Sequence, residues 1–129
     1  MLLFKKKFIA QIKSGEKTQT IRLWKYCRMR AGQKSYIAGI GYVRIDSIER
    51  IELASLTDAD AMLDGFPSAD ELRSELCALY GADVLAKLRT YKIRFSVYPP
   101  CKQKIIMEER RKVREQRAIL KKSYRNFNF

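Results

Sequence analysis

The densest set of residues able to do chemistry is Gly15-Glu16-Lys17-Thr18-Gln19-Thr20-Ile21-Arg22-Leu23-Trp24-Lys25. A glycine followed by an extended run of Lys, Thr and Arg sets cationic donors beside a sheet edge. On two-residue alternation Thr18, Thr20 and Arg22 project to one face, and Gln19, Ile21 and Leu23 take the other. Such a face suits solvent or, beside Lys17 and Trp24, an anion pocket, and the pattern leaves both open. Trp24 and Tyr26 among Lys25, Arg28 and Arg30 make a basic aromatic segment able to stack a base and hold its phosphate. Trp24 fits a core position equally well. Arg44, Arg89, Lys92 and Arg94 lie on expected strands, where they could extend the same face or simply keep an edge soluble.

These residues need elements to position them. Phe8, Ile9 and Ile12 share one helical face, and Gly15 sits at the stop position of a helix over 8–15. Thr18 to Trp24 reads as a strand, as do 35–38 and 42–53, with Gly39 and Gly41 between the latter two. Thr57 caps a short helix over 58–63, broken by Asp64-Gly65-Phe66-Pro67. Ser68 and Glu71 have capping-box spacing ahead of a helix whose Leu72, Leu76, Leu79 and Tyr80 share a face. Asp64 is, on this reading, a turn or capping residue, and Phe66 a core plug. Tyr91 to Tyr98 alternates strictly and forms the last strand, stopped by Pro99-Pro100. Antiparallel strands with intervening helices and no βαβ rhythm predict an α+β fold.

After Pro100 the composition turns to Lys, Arg, Glu and Gln, with Ile106, Val113 and Leu120 at heptad intervals. One apolar position per heptad is too narrow a seam for a coiled coil, so a charged helix is expected. The end, 123–129, interleaves aromatic and polar residues that could stack on bases.

The 129 residues suit one domain, with 47% apolar and 32% charged residues. Lys and Arg number 27 against 14 acids, a net charge of +13. The excess sits at the ends: 1–50 carry +9, 51–100 carry −3 and 101–129 carry +7. That segregation suits a polyanion-binding face, because each phosphate neutralised releases counterions. A merely soluble surface with an unfolded basic tail, an anionic membrane or an acidic protein would fit it as well. The chain has no histidine, which removes His-based triads and His-ligated metals. Cys27, Cys77 and Cys101 are spaced neither as a metal knuckle nor as a disulfide framework. The expectation is a reduced, cytoplasmic protein without metal or cofactor. No apolar run approaches the roughly 20 residues of a membrane span, and no membrane partner is expected.

The run Gly15-x-Lys17-Thr18-x-Thr20-Ile21-Arg22 resembles the signature of ASCH domains, small α+β β-barrels similar to PUA RNA-binding domains. The agreement continues through Asp60-Ala61, Asp64-Gly65-Phe66 and Glu71-Leu72, and ends in the strand Tyr91–Phe95. The resemblance implies a PUA-like barrel with flanking helices over 1–98, and leaves 99–129 as a basic C-terminal extension. It implies an RNA-binding protein whose cleft is floored by the Gly15–Arg22 motif. Gly15, Thr18, Arg22, Trp24, Lys25, Arg28, Arg30 and Arg94 are its candidate binding residues. The expected partners are RNA or a modified nucleoside, with the ribosome or another polyanion meeting residues 102–125.

One branch of the family resembles acetylcytidine amidohydrolases, and carries the alternative that the chain is such an enzyme. That branch uses a Lys, a Thr and a Glu, which fall by position on Lys17, Thr20 and Asp64; Asp64 is one methylene shorter. A Lys in a partly apolar pocket can lose its proton and activate a Thr hydroxyl. The carboxylate would handle water, and Arg22 or a backbone N–H the oxyanion.

Overall fold

The computed structural model of the chain describes residues 2–127. Contacts divide it into two compact units, Met1–Val97 and Tyr98–Phe129. The first unit begins with helix α1, Lys6–Ser14, which starts earlier than its apolar face alone suggests. Lysines are good helix formers, so Lys6 and Lys7 join the first turn. Gly15 closes it at φ 84, a left-handed conformation that glycine adopts without a Cβ clash.

Four strands follow: β1 Gln19–Trp24, β2 Lys34–Ile37, β3 Gly41–Ile51 and β4 Arg89–Val97. Between β3 and β4 lie a 3₁₀ turn at Leu53–Ser55 and three helices, α2 Asp58–Leu63, α3 Ala69–Tyr80 and α4 Ala82–Leu85. The strands pair antiparallel in the order β1-β4-β3-β2, leaving β1 and β2 as edges. The fold is α+β, and its sheet curls into a half-barrel.

Alternation along the strands gives the sheet two apolar faces. Val43, Ile45, Tyr91, Ile93 and Phe95 pack with Leu2 and with Ile12 of α1. On the other face Ile21 and Leu23 pack with Ala61 of α2 and with Leu72 and Leu76 of α3. Central β4 therefore holds the core together, and Ile93 is 0% exposed.

The helix caps explain where the second face begins. Thr57 accepts from the Asp60 N–H at 3.2 Å, and the Asp60 carboxylate accepts in return from the Thr57 N–H. The reciprocal box thus forms at α2, one helix earlier than the Ser68–Glu71 spacing predicts. Ser68 still caps α3, accepting from the Glu71 N–H at 3.3 Å.

The second unit is dominated by α5, Pro100–Phe127. Pro100 suits its first position, where no N–H is required. Glu108 and Glu115 both pair with Arg111 on its surface. Of the aromatic end, Tyr124 is exposed; the Phe127 side chain, Asn128 and Phe129 lie outside the described residues, so the base-stacking expectation for them does too.

Truncating Ile93 leaves a cavity in a site walled by the sheet. Ile93→Ala is expected to lower unfolding free energy by about 2–5 kcal/mol, read from urea midpoints. Val97→Ala, at a 42% exposed position of the same strand, should change it by less than about 1 kcal/mol.

Candidate functional site

The site grows from the way α1 hands the chain to edge strand β1. The reversal at Gly15 returns the backbone so that the Lys17 N–H donates to the Gln11 carbonyl at 3.1 Å. Thr18 then accepts from the Phe95 N–H at 3.0 Å. From there alternate residues of β1 turn their backbone groups toward β4, and Gln19, Ile21 and Leu23 turn theirs outward.

The end of α2 docks on that outward edge. The Thr18 N–H donates to the Leu63 carbonyl at 3.1 Å, and the Ile21 N–H donates to Asp64 Oδ1 at 3.0 Å. Lys17 Nζ lies 3.1 Å from the same carboxylate oxygen and also donates to the Asp64 carbonyl. Gly65 adopts φ 93 beside Gln11 and Phe8, where a Cβ would stand 2.2 Å from the Gln11 side chain. Phe66 thereby reaches the Phe8 ring at 5.5 Å.

Lys17 is 3% exposed, Asp64 4% and Thr20 4%. Arg22 spans the site: Nε donates to Thr20 Oγ1 at 3.1 Å and Nη2 to the Leu3 carbonyl at 2.7 Å. Its guanidinium lies 4.8 Å from the Phe4 ring centre, and Lys17 Nζ lies 4.5 Å from that of Phe8. These side chains line one cavity of about 140 Å³, rimmed by Leu79 and Tyr80 of α3.

Burial sets the electrostatics. Loss of water pushes the Asp64 carboxyl up to about 6, against the opposing pull of Lys17. Loss of water likewise lowers the Lys17 ammonium, more than Asp64 holds it up. Both shifts work against two full charges in the pair. With Arg22 added, the cavity wall is cationic overall and suits an electron-rich carbonyl or an oxyanion.

The structure therefore gathers Lys17, Thr20, Arg22 and Asp64 around one cavity. Among the described residues no hydrogen bond joins Lys17 to Thr20; the lysine is held by Asp64 and the threonine by Arg22. Gly15 and Thr18 are exposed at the entrance to β1, and Gly15 serves as a helix cap. Trp24 packs on Tyr91 at 5.8 Å and adjoins the core. It also lines a separate hollow of about 340 Å³ with Lys25, Tyr26, Arg28 and Met29. Arg30 is exposed and lines neither hollow.

Of the two readings of Arg94, extension of the Thr20 face or solubility of an edge, the register bears on the first. Arg94 pairs with Gln19, so alternation sends it to the face opposite Thr20 and Arg22. Lys92, on the same face as Arg94, is occupied by Asp60 at 3.2 Å and Glu49 at 3.7 Å. Sequence reasoning missed Phe4 and Phe8 as cavity walls and placed Phe66 only in the core. The available signal was the proximity of Phe8 to the motif on the apolar face of α1. Among the described residues no cluster of His, Cys, Asp and Glu could hold a metal, and no helix is long and apolar enough to cross a membrane.

A buried pair broken on one side leaves an uncompensated charge. Lys17→Met alone, and Asp64→Asn alone, should each cost about 3–5 kcal/mol. The double variant should recover most of that loss, because Asn keeps an acceptor for the Ile21 N–H. Denaturant unfolding of the three variants checks this, and additive losses would break the expectation.

No protein-family model and no curated protein matches the sequence. Among solved structures the chain is similar to the hypothetical protein PH0355, with 18% identity and a TM-score of 0.64 over 74% of this chain and 95% of that one. It is similar to an ASCH domain from Lactobacillus crispatus, with 13% identity and a TM-score of 0.59 over 69% of each chain. It is also similar to protein EF3133 from Enterococcus faecalis, with 19% identity and a TM-score of 0.55 over 70% of this chain and 69% of that one. At such identities the likeness speaks for architecture alone. On that architecture the chain has an ASCH-like, PUA-like α+β fold.

Proposed function

We propose that the Lys17–Asp64 cavity binds the base of a modified cytidine and hydrolyses an acyl amide on its exocyclic nitrogen. The observation that carries this reading is the burial of Lys17 at 3% exposure, with its charge spent on Asp64. A lysine that grips a nucleic-acid backbone keeps its ammonium in water and open to phosphate. Lys17 does neither. A buried Lys and carboxylate with opposed shifts, next to a hydroxyl and an arginine, form the usual surroundings of acid–base chemistry. At about 140 Å³ the cavity is smaller than the roughly 300 Å³ typical of drug-sized ligands. It suits a base or an acyl group rather than a strand.

In this scheme Thr20 Oγ attacks the acyl carbonyl carbon while its proton passes to the neutral amine of Lys17. Lys17 is held on Asp64, so one intervening water completes the transfer. The exocyclic nitrogen takes that proton back from Lys17 as its bond to the acyl carbon breaks, leaving an ester on Thr20 and the Lys17 amine neutral again. Asp64 then takes a proton from water, whose oxygen attacks the ester. Asp64 passes that proton to Thr20 Oγ as the ester bond breaks, which frees the carboxylic acid and restores the Thr20 hydroxyl. Arg22, anchored on Leu3, holds Thr20 and stabilises charge on the carbonyl oxygen.

A second reading, RNA binding without turnover, is favoured by the hollow at Trp24–Met29. There Tyr26 is 65% exposed and Lys25 Nζ lies 5.7 Å from its ring centre. A base could stack on Tyr26 while Lys25 and Arg28 meet phosphates.

Incubation with acetylcytidine, followed by chromatography for cytidine, separates the two. Turnover should fall by about 10²-fold or more in Lys17→Ala and Thr20→Ala, with circular dichroism reporting the fold. Asp64 acts as a base only when ionised, so the rate should rise as pH passes upward through about 6. A folded wild type without turnover rejects the hydrolase. RNA binding that Tyr26→Ala weakens would then support the second reading.

A further inference from the structure

Helix α5 carries a sorted charge pattern that the cavity does not use. Its residues, Pro100–Phe127, include ten cations against three acids, a net of +7. At 3.6 residues per turn, Lys104, Arg114, Arg117, Lys121, Lys122 and Arg125 fall within an arc of about 140°. All six are exposed. No acid falls within that arc: Glu108 and Glu115 lie beside it, tied to Arg111 at 2.6 and 3.2 Å, and Glu109 lies on the far side. A helix that merely needed solvating would intersperse both signs around its surface.

We infer that this face of α5 is a binding surface for the phosphate backbone of a nucleic-acid duplex. The helix is about 42 Å long at 1.5 Å per residue, and its cations run along about 32 Å of it. A rigid rod with positive charge on one side meets a regular rail of phosphates at many points at once, because duplex DNA presents one charge per roughly 1.7 Å of axis. A membrane surface fits less well. The exposed apolar residues Ile105, Met107, Val113, Ile119, Leu120 and Tyr124 are scattered around the helix, Met107 among the cations themselves, without the one broad apolar face that interfacial helices bury. The surface has no base-reading chemistry of its own, so its contribution is to affinity and not to sequence preference.

The test is the salt dependence of binding to a mixed-sequence B-form DNA duplex, using the full chain. Neutralising six phosphate contacts should flatten the slope of log K against log salt by about 5. The variant K104Q/R114Q/R117Q/K121Q/K122Q/R125Q is expected to show that change, and Gln preserves helix propensity. Lys102→Gln with Lys112→Gln, two cations off the arc, should leave the slope nearly unchanged. If the sixfold variant loses helical circular dichroism, R114Q/R117Q/K121Q replaces it, with an expected change of about half. An unchanged slope overturns the inference. So does an equal effect per charge off the arc, which would mean net charge alone. Loss of binding to vesicles of anionic lipid with duplex binding retained assigns the face to a membrane and overturns it too. Loss of ribosome association alongside the slope change would agree with it, since the ribosome offers duplex RNA.

Discussion

Gln19, Ile21 and Leu23 turn their backbone groups away from β4, so β1 would present an open edge unless another element met it. The end of α2 meets it through the Leu63 carbonyl and the Asp64 carboxylate. That carboxylate closes the edge at a cost, since it is drawn almost entirely out of water. Removing an ion from water costs several kcal/mol even after relaxation, and the neighbouring Lys17 offsets part of it. Much of the local structure follows from this one contact. The Gly15 reversal delivers Lys17, Gly65 turns the chain away behind Asp64, and Phe8 and Phe66 close over both.

The same contact gives the cavity its character. Lys17 and Asp64 nearly cancel, Arg22 does not, and the walls around them are rings and aliphatic side chains. Charge that develops on a ligand here is felt at low dielectric, where fixed donors act most strongly. The basic residues at 25–30 and along α5 live in water, where salt screens them. The buried polar groups of the cavity and the exposed cations thus belong to different parts of the chain.

How much of this could be read from the sequence depended on the range of the interaction. Helix α1, its Gly15 stop, the Thr57 and Ser68 caps and the alternation of β4 are local, and the periodicities predict them closely. The cluster of Lys17, Thr20 and Arg22 was legible from alternation and from the ASCH resemblance. The Asp64–Ile21 bond was not, because it joins residues 43 apart and looks in sequence like a turn before a glycine. Gln19 is 0% exposed, although alternation alone would have allowed it an open face; helices cover β1 on both sides. Leu79 shares a face with Leu72 yet is 57% exposed, and with Tyr80 it stands at the cavity. The face of Arg94 was left open for a single reason: register, and not residue type, decides which face a strand residue takes.

Burial, and not an ordinary surface ion pair, governs Asp64. Carbon-13 NMR of the aspartate side-chain carboxyls, titrated with pH and assigned by Asp64→Asn, measures this directly. The Asp64 signal is expected to titrate near 6, well above the ordinary value of 3.8. Titration at or below 3.8 would contradict it, and would make Lys17 and Asp64 a structural salt bridge that keeps both charges throughout.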